Sequence, residues 1–173
     1  MIHCRGKVTE GNLGFLSVRI SGRWNIDRLR ARRSLDIDVA GPQRVRLDEI
    51  APRLVGPLLE RHPSEAGRVL DGWARDPDFW VRRAALLALL LPMRRGEGDW
   101  KRCERYADPL LEDREFFIRK AIGWILREAA KVTPERVIAF VEPRAARLSG
   151  VTWREATRKL PVRVQQRLRA RRG

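Results

Sequence analysis

The sequence predicts an all-α fold, a short superhelix of antiparallel helix pairs preceded by an irregular arm. Three observations carry this. From Val45 onward apolar residues recur at three- and four-residue steps. Cap and proline signals cut that stretch into segments of helical length. A block of arginines and aromatics also repeats. Phe79-Trp80-Val81-Arg82-Arg83-Ala84 returns as Phe116-Phe117-Ile118-Arg119-Lys120-Ala121, and more weakly as Val151-Thr152-Trp153-Arg154-Glu155-Ala156. A period of about 35–40 residues, two helices per unit, is the mark of a HEAT-like solenoid.

Residues 1–43 are rich in Arg and Gly, lack sustained helical periodicity and close on Gly41-Pro42. They are expected to form an irregular basic arm. Residues 44–162 are expected to form the repeat domain. Its first helix runs from Val45 to Leu59, with Leu47, Ile50, Ala51, Leu54, Val55 and Leu58 on one face. His62-Pro63-Ser64 breaks it, and Ser64 can cap the next helix, to about Ala74. Asp76-Pro77 reads as an N-cap followed by a first-turn proline. The helix it starts is expected to end at Pro92, with Arg94–Asp99 as a loop. Helices over 100–111 and 115–131 follow. Thr133-Pro134 starts another, to about Val141, and Thr152–Leu160 is a last short one. Residues 163–173 are expected to be a basic tail, a solvated end.

The net charge of +15 and pI near 11.4 point to a polyanionic partner, nucleic acid first. The charge sits at the ends. Residues 1–47 carry +6 and residues 154–173 carry +7, which leaves +2 for the middle. Binding by the repeat domain therefore needs a placed basic face. Cys4 and Cys103 are far apart and His3 and His62 isolated, so no metal site, cofactor or disulfide framework is expected. The longest apolar run, Ala84–Leu91, is too short to span a bilayer, and no signal peptide opens the chain. A cytoplasmic monomer without a membrane partner is expected.

The repeat aligns Arg82, Arg119 and Arg154 in one column, and Arg83, Lys120 and Glu155 in the next. The 78–91 helix is almost wholly apolar apart from Arg82 and Arg83, so both are expected to emerge at an edge or groove. Lys120, Trp124 and Arg127 share one face of the following helix. Cations around an aromatic suit a sugar-phosphate backbone. The same columns could instead pair with acids of the adjacent repeat and only fasten the stack, or line a protein-binding groove. Both alternatives stay open on spacing alone.

Three blocks carry a family resemblance. Residues 79–85, Phe-Trp-Val-Arg-Arg-Ala-Ala, are the first. Residues 115–128, Glu-Phe-Phe-Ile-Arg-Lys-Ala-Ile-Gly-Trp-Ile-Leu-Arg-Glu, are the longest and least ordinary. Residues 48–56 read Asp-Glu-Ile-Ala-Pro-Arg-Leu-Val-Gly. In this order the chain resembles the AlkD-like DNA alkylation repair proteins, over about 48–160. The resemblance implies a superhelix holding alkylated double-stranded DNA on its concave face, and a glycosylase excising cationic N3- or N7-alkylated purines. By motif, the catalytic Asp falls on Asp48, the DNA-backbone Arg on Arg83 and one sugar-contacting Trp on Trp124. Arg82, Arg119, Lys120, Arg127 and Arg44 are the further candidate DNA contacts. A cationic base is already a good leaving group. What the site must supply is a carboxylate beside the developing oxocarbenium sugar.

Two departures bear on activity. The family carries a Trp four residues before the Asp, where this chain has Arg44. Its amino-terminal helices also have no counterpart in residues 1–43, which would leave the apolar side of the 45–59 helix exposed. A DNA-binding module with weak or no catalysis is therefore the alternative expectation.

Overall fold

The computed structural model describes residues 43–172, all helices and short connections, with no strand among them. The expected irregular arm lies outside the described residues. The expected 45–59 helix is three pieces: α1 (Gln43–Ile50), a π-helical turn (Ala51–Val55) and α2 (Gly56–Arg61). Pro52 and Pro57 are the cause. Each lacks an N–H, and its ring crowds the carbonyl four residues back. Across the π turn the Gly56 N–H reaches Ala51 O instead. The apolar face survives the bulge, with Leu47, Ala51, Val55 and Leu58 buried. That face was expected to be exposed; α4 and α5 pack beside it.

α3 (Pro63–Trp73) starts one residue before the predicted cap. Pro63 takes the first position and His62 precedes it, so Ser64 lies inside the first turn and caps nothing. α4 (Phe79–Leu87) is capped by Asp78, whose Oδ1 accepts from the Trp80 N–H at 2.8 Å. Asp76, the expected cap, instead folds the preceding turn by accepting from the Asp78 N–H at 2.8 Å. Pro92 does not end the helical run. A break at Ala88–Leu89 comes first, and α5 (Leu90–Arg95) then holds Pro92 in its opening turn, where a missing N–H costs little. Gly96, at φ 81°, closes α5 in the left-handed conformation.

α6 (Trp100–Ala107) is capped by Asp99 and continues into a 3-10 turn over Asp108–Leu110. α7 (Phe116–Ala129) is the longest helix among the described residues. It packs on α4 and α5 on one side and on α9 on the other. α8 (Pro134–Val141) begins at the expected Thr133-Pro134 step, although the Thr133 hydroxyl donates back to Ala129 O. A 3-10 stretch over Glu142–Arg147 leads to α9 (Gly150–Thr157), capped by Ser149. The predicted solvated tail is a helix, α10 (Val162–Ala170), docked through Leu168 at 0% exposure.

These helices share one continuous apolar core, and the fold is solenoid-like. Its polar fastenings have the repeat's period. Asp71 accepts from Tyr106 and Arg105, 35 and 34 residues on. Asp108 accepts from Arg144, 36 residues on, and Glu112 from Arg147, 35 on. Glu60 pairs with Arg95, also 35 on. Each bond ties one repeat to the next. Burial alone would raise the Asp71 carboxyl, but the Tyr106 hydroxyl, Arg105 and Arg102 together hold it below the ordinary carboxylate range. The Arg144 hydrogen bond does the same for Asp108. Glu128, where burial is opposed by Lys131, Arg94 and Arg127, is lowered as well. Cys103 sits in the core, and burial pushes its thiol up to about 12.

Candidate active site

The repeated turns explain the first arginine column. Asp113 accepts from the Glu115 N–H at 2.8 Å, just as Asp76 does from Asp78 one repeat earlier. Arg82 Nη1 donates to Asp76 O at 2.7 Å, and Arg119 Nε donates to Asp113 O at 2.6 Å, each six residues back. Arg82 Nη2 also reaches Asp113 Oδ2 at 3.0 Å, so one repeat grips the turn of the next. Arg82 Nε is buried with no partner among the described residues. Arg82, expected at a groove edge, and Arg119 thus close turns, and Arg82 also joins repeats. This is the ladder that spacing alone left open. Arg154, the third in the column, is exposed; Ser149 caps its helix instead.

The second column behaves differently. Arg83 is 2% exposed, contrary to the expectation that it emerges from the helix. An arginine so buried is tolerated because its donors are met. Its Nε lies 3.0 Å from Asp48 Oδ1, and its Nη2 lies 2.7 Å from Oδ1 and 2.9 Å from Oδ2. Nη1 donates to Phe117 O on α7. All three guanidinium nitrogens thus have an acceptor. The link crosses three successive layers, α1 to α4 to α7. Aromatic packing lines it: the Trp80 and Phe117 rings stand 5.2 Å apart, and the Arg83 guanidinium lies 5.8 Å from the Phe117 ring.

Asp48 is the open end of this link. Its side chain is 34% exposed, beside the buried anchor Leu47. A fork-to-fork pair fixes both oxygens in direction while one edge of the carboxylate keeps access to solvent. Trp124 lies two turns along α7 from Phe117, about 10 Å by helical rise, and is half-buried against the core. Lys120, between them on the same face, is exposed, with its Nζ 6.0 Å from the Phe116 ring.

Arg127, the third member of the expected α7 face, is taken up by an acid. It pairs with Glu155 of α9 and lies 3.5 Å from Glu128. Glu155 occupies the column of Arg83 and Lys120, so the charge reversal there was visible in the repeat alignment; its partner was not. Arg44 belongs to α1, but its side chain lies outside the described residues. The structure therefore brings Asp48 and Arg83 together and puts Lys120 and Trp124 on one face of α7. It directs Arg82, Arg119 and Arg127 at protein groups. The Phe117 carbonyl and the acid Glu155 are the participants that spacing did not reveal.

Among the described residues no group of three or more His, Cys, Asp or Glu is placed to hold a metal ion, and no helix is long and apolar enough to cross a membrane. No curated protein matches the sequence. The sequence profile of the DNA alkylation repair enzymes does match it, over residues 45–160. The match begins on α1, ends after α9 and takes in Asp48, Arg83 and Trp124. The chain belongs to the family of DNA alkylation repair enzymes.

Proposed function

We propose that the chain is a DNA glycosylase that excises cationic N3- or N7-alkylated purines from duplex DNA, acting as a single copy. The observation that carries this is Asp48, a carboxylate fixed by a bidentate, buried arginine yet open to solvent. An alkylated purine of this kind leaves as a neutral base, so no general acid is required. As the glycosidic bond lengthens, positive charge grows on C1′ and the ring oxygen of the sugar. A carboxylate held still beside that charge lowers the barrier without reorganising, and the same group can orient the attacking water.

Arg83 serves this scheme chiefly by orienting Asp48, since most of its donors are engaged there. A phosphate contact from it would use a remaining Nη1 hydrogen. Trp124 offers an aromatic face to the cationic nucleoside, and the exposed Lys120 a charge to the phosphate beside it. Arg82, Arg119 and Arg127 reach DNA only if they leave the protein groups they now bind.

A second reading, a DNA-binding module without the chemistry, is favoured by Arg44, which stands where the resemblance calls for an aromatic. One assay separates the two: release of 7-methylguanine from methylated duplex DNA by the full chain and by Asp48→Asn, which keeps the side chain's size. Release that drops at least about a hundredfold in the variant supports the glycosylase, the scale on which loss of one preorganised electrostatic group acts. A folded, DNA-binding wild type that releases no base identifies the module.

A further inference from the structure

The geometry points to a second phosphate-binding surface, a groove between α9 and α10 that grips the backbone of duplex DNA beyond the site around Asp48. This rests on the reading that DNA is the partner. The groove has a volume of about 520 Å³, and its walls include Arg154, Glu155 and Arg158 on one side and Gln165 and Arg169 on the other.

Two features of this groove suit it to an anion, and it gathers its free cations in one place. First, its cations are uncompensated. Several repeat arginines, among them Arg82, Arg83, Arg94, Arg105 and Arg144, are matched to acids of a neighbouring repeat. Arg154, Arg158 and Arg169 are exposed, with no hydrogen bond or ion pair among the described residues. The one acid in the wall, Glu155, is already held by Arg127. Arg154 and Arg158 lie four residues apart, so like charges face one another along one edge, an arrangement unfavourable without an anion between them. Arg154 is also the column member relieved of turn closure.

Second, the opposite wall is fixed. α10 is docked by Leu168, and Arg172 donates to Leu148 O at 3.0 Å while its guanidinium lies 5.1 Å over the Trp153 ring. Gln165 Nε2 donates to Leu160 O at 2.8 Å. One flank of the helix is neutralised, with Arg171 and Arg167 3.4 and 3.8 Å from Glu142. The other flank carries Arg169 into the groove. Three guanidinium groups on two rigid walls, without a free acid, suit successive phosphodiesters. Arg154 and Arg158 lie within the 45–160 family match, and α10 with Arg169 lies beyond it.

The test is binding of an unmodified short duplex by the full chain across a series of salt concentrations. The variant Arg154→Gln/Arg158→Gln/Arg169→Gln is compared with Arg68→Gln/Arg75→Gln/Arg136→Gln, which removes equal charge from exposed positions elsewhere. Far-UV spectra and unfolding midpoints confirm that all are folded. The groove variant is expected to show a log K against log salt slope shallower by about two to three units, from roughly 0.9 per duplex phosphate contact, with the control at the wild-type slope. Wild-type binding with equal slopes in the two variants overturns the groove and leaves the DNA reading intact. No binding of the duplex by the wild type at low salt overturns both.

Discussion

Removal of the Asp48 carboxylate should destabilise the chain more than removal of Arg83, although Arg83 is the larger and more buried side chain. In Asp48→Ala, two guanidinium nitrogens lose their carboxylate acceptor at a side chain 2% exposed. Breaking a buried ion pair from one side costs about 3–5 kcal/mol. Water can enter the space left by a carboxylate that was 34% exposed, which puts the expected cost near the lower end, about 3 kcal/mol. In Arg83→Met the volume is largely kept and the stranded carboxylate can hydrate from its open side. The cost there is about 1–2 kcal/mol, including the lost hydrogen bond to the Phe117 carbonyl. The double variant should be less destabilised than the sum by about 1–3 kcal/mol, because the second change removes the group the first one stranded. Urea denaturation followed by far-UV circular dichroism gives all four free energies, and a thermal midpoint lower by roughly 10 °C for Asp48→Ala is the companion readout. A wild-type midpoint for Asp48→Ala, or a larger loss for Arg83→Met, would refute the argument that Arg83 depends on Asp48 for its burial.

Asp71, Asp108 and Glu128 have folded-state values below their ordinary ones, so their stabilising effect is complete above the ordinary carboxylate range. It is lost as pH falls through the depressed values, below about pH 4, and Asp108→Asn should flatten that acid limb in a denaturation series against pH. Gly123→Ala should cost about 1–3 kcal/mol in thermal or urea unfolding, because its Cβ would lie 2.7 Å from Glu155 Cβ and 3.3 Å from the Thr152 backbone where α7 meets α9. Gly72→Ala, with nothing within 4 Å of the new Cβ, should instead gain about 0.5–1 kcal/mol. A stabilised Gly123→Ala would mean that α7 and α9 do not approach so closely.

Helix starts show how finely the sequence resolves local structure. The Thr133-Pro134 start was legible because proline's missing N–H and fixed φ act within one turn. The Ser64 and Asp76 caps were each misplaced by two residues: Pro63 opens α3 ahead of Ser64, and Asp78 caps α4 while Asp76 accepts from the Asp78 N–H. The π turn at Ala51–Val55 was marked by Pro52 and Pro57. Whether two prolines end a helix or bulge it depends on the packing that holds both sides in line. α10 went unseen because Leu168 is its one fully buried anchor and five of residues 163–172 are arginines, a pattern that reads as solvated until Glu142, Leu148 and Trp153 are brought against it.

By itself the sequence determined the all-α class, the two-helix repeat, the core face of α1 and the blocks that carry the family. Each of these depends on spacing within a turn or on similarity between copies. Only the tertiary structure decided what the arginines do. Arg82 closes a turn, Arg83 is buried on Asp48, Arg127 is held by Glu155, and Arg154 has no partner among the described residues. The acids that Arg82, Arg83 and Arg127 find lie 31, 35 and 28 residues away, in Asp113, Asp48 and Glu155. Charge pairing at that range is a property of how repeats stack, and periodicity along a single helix carries no record of it.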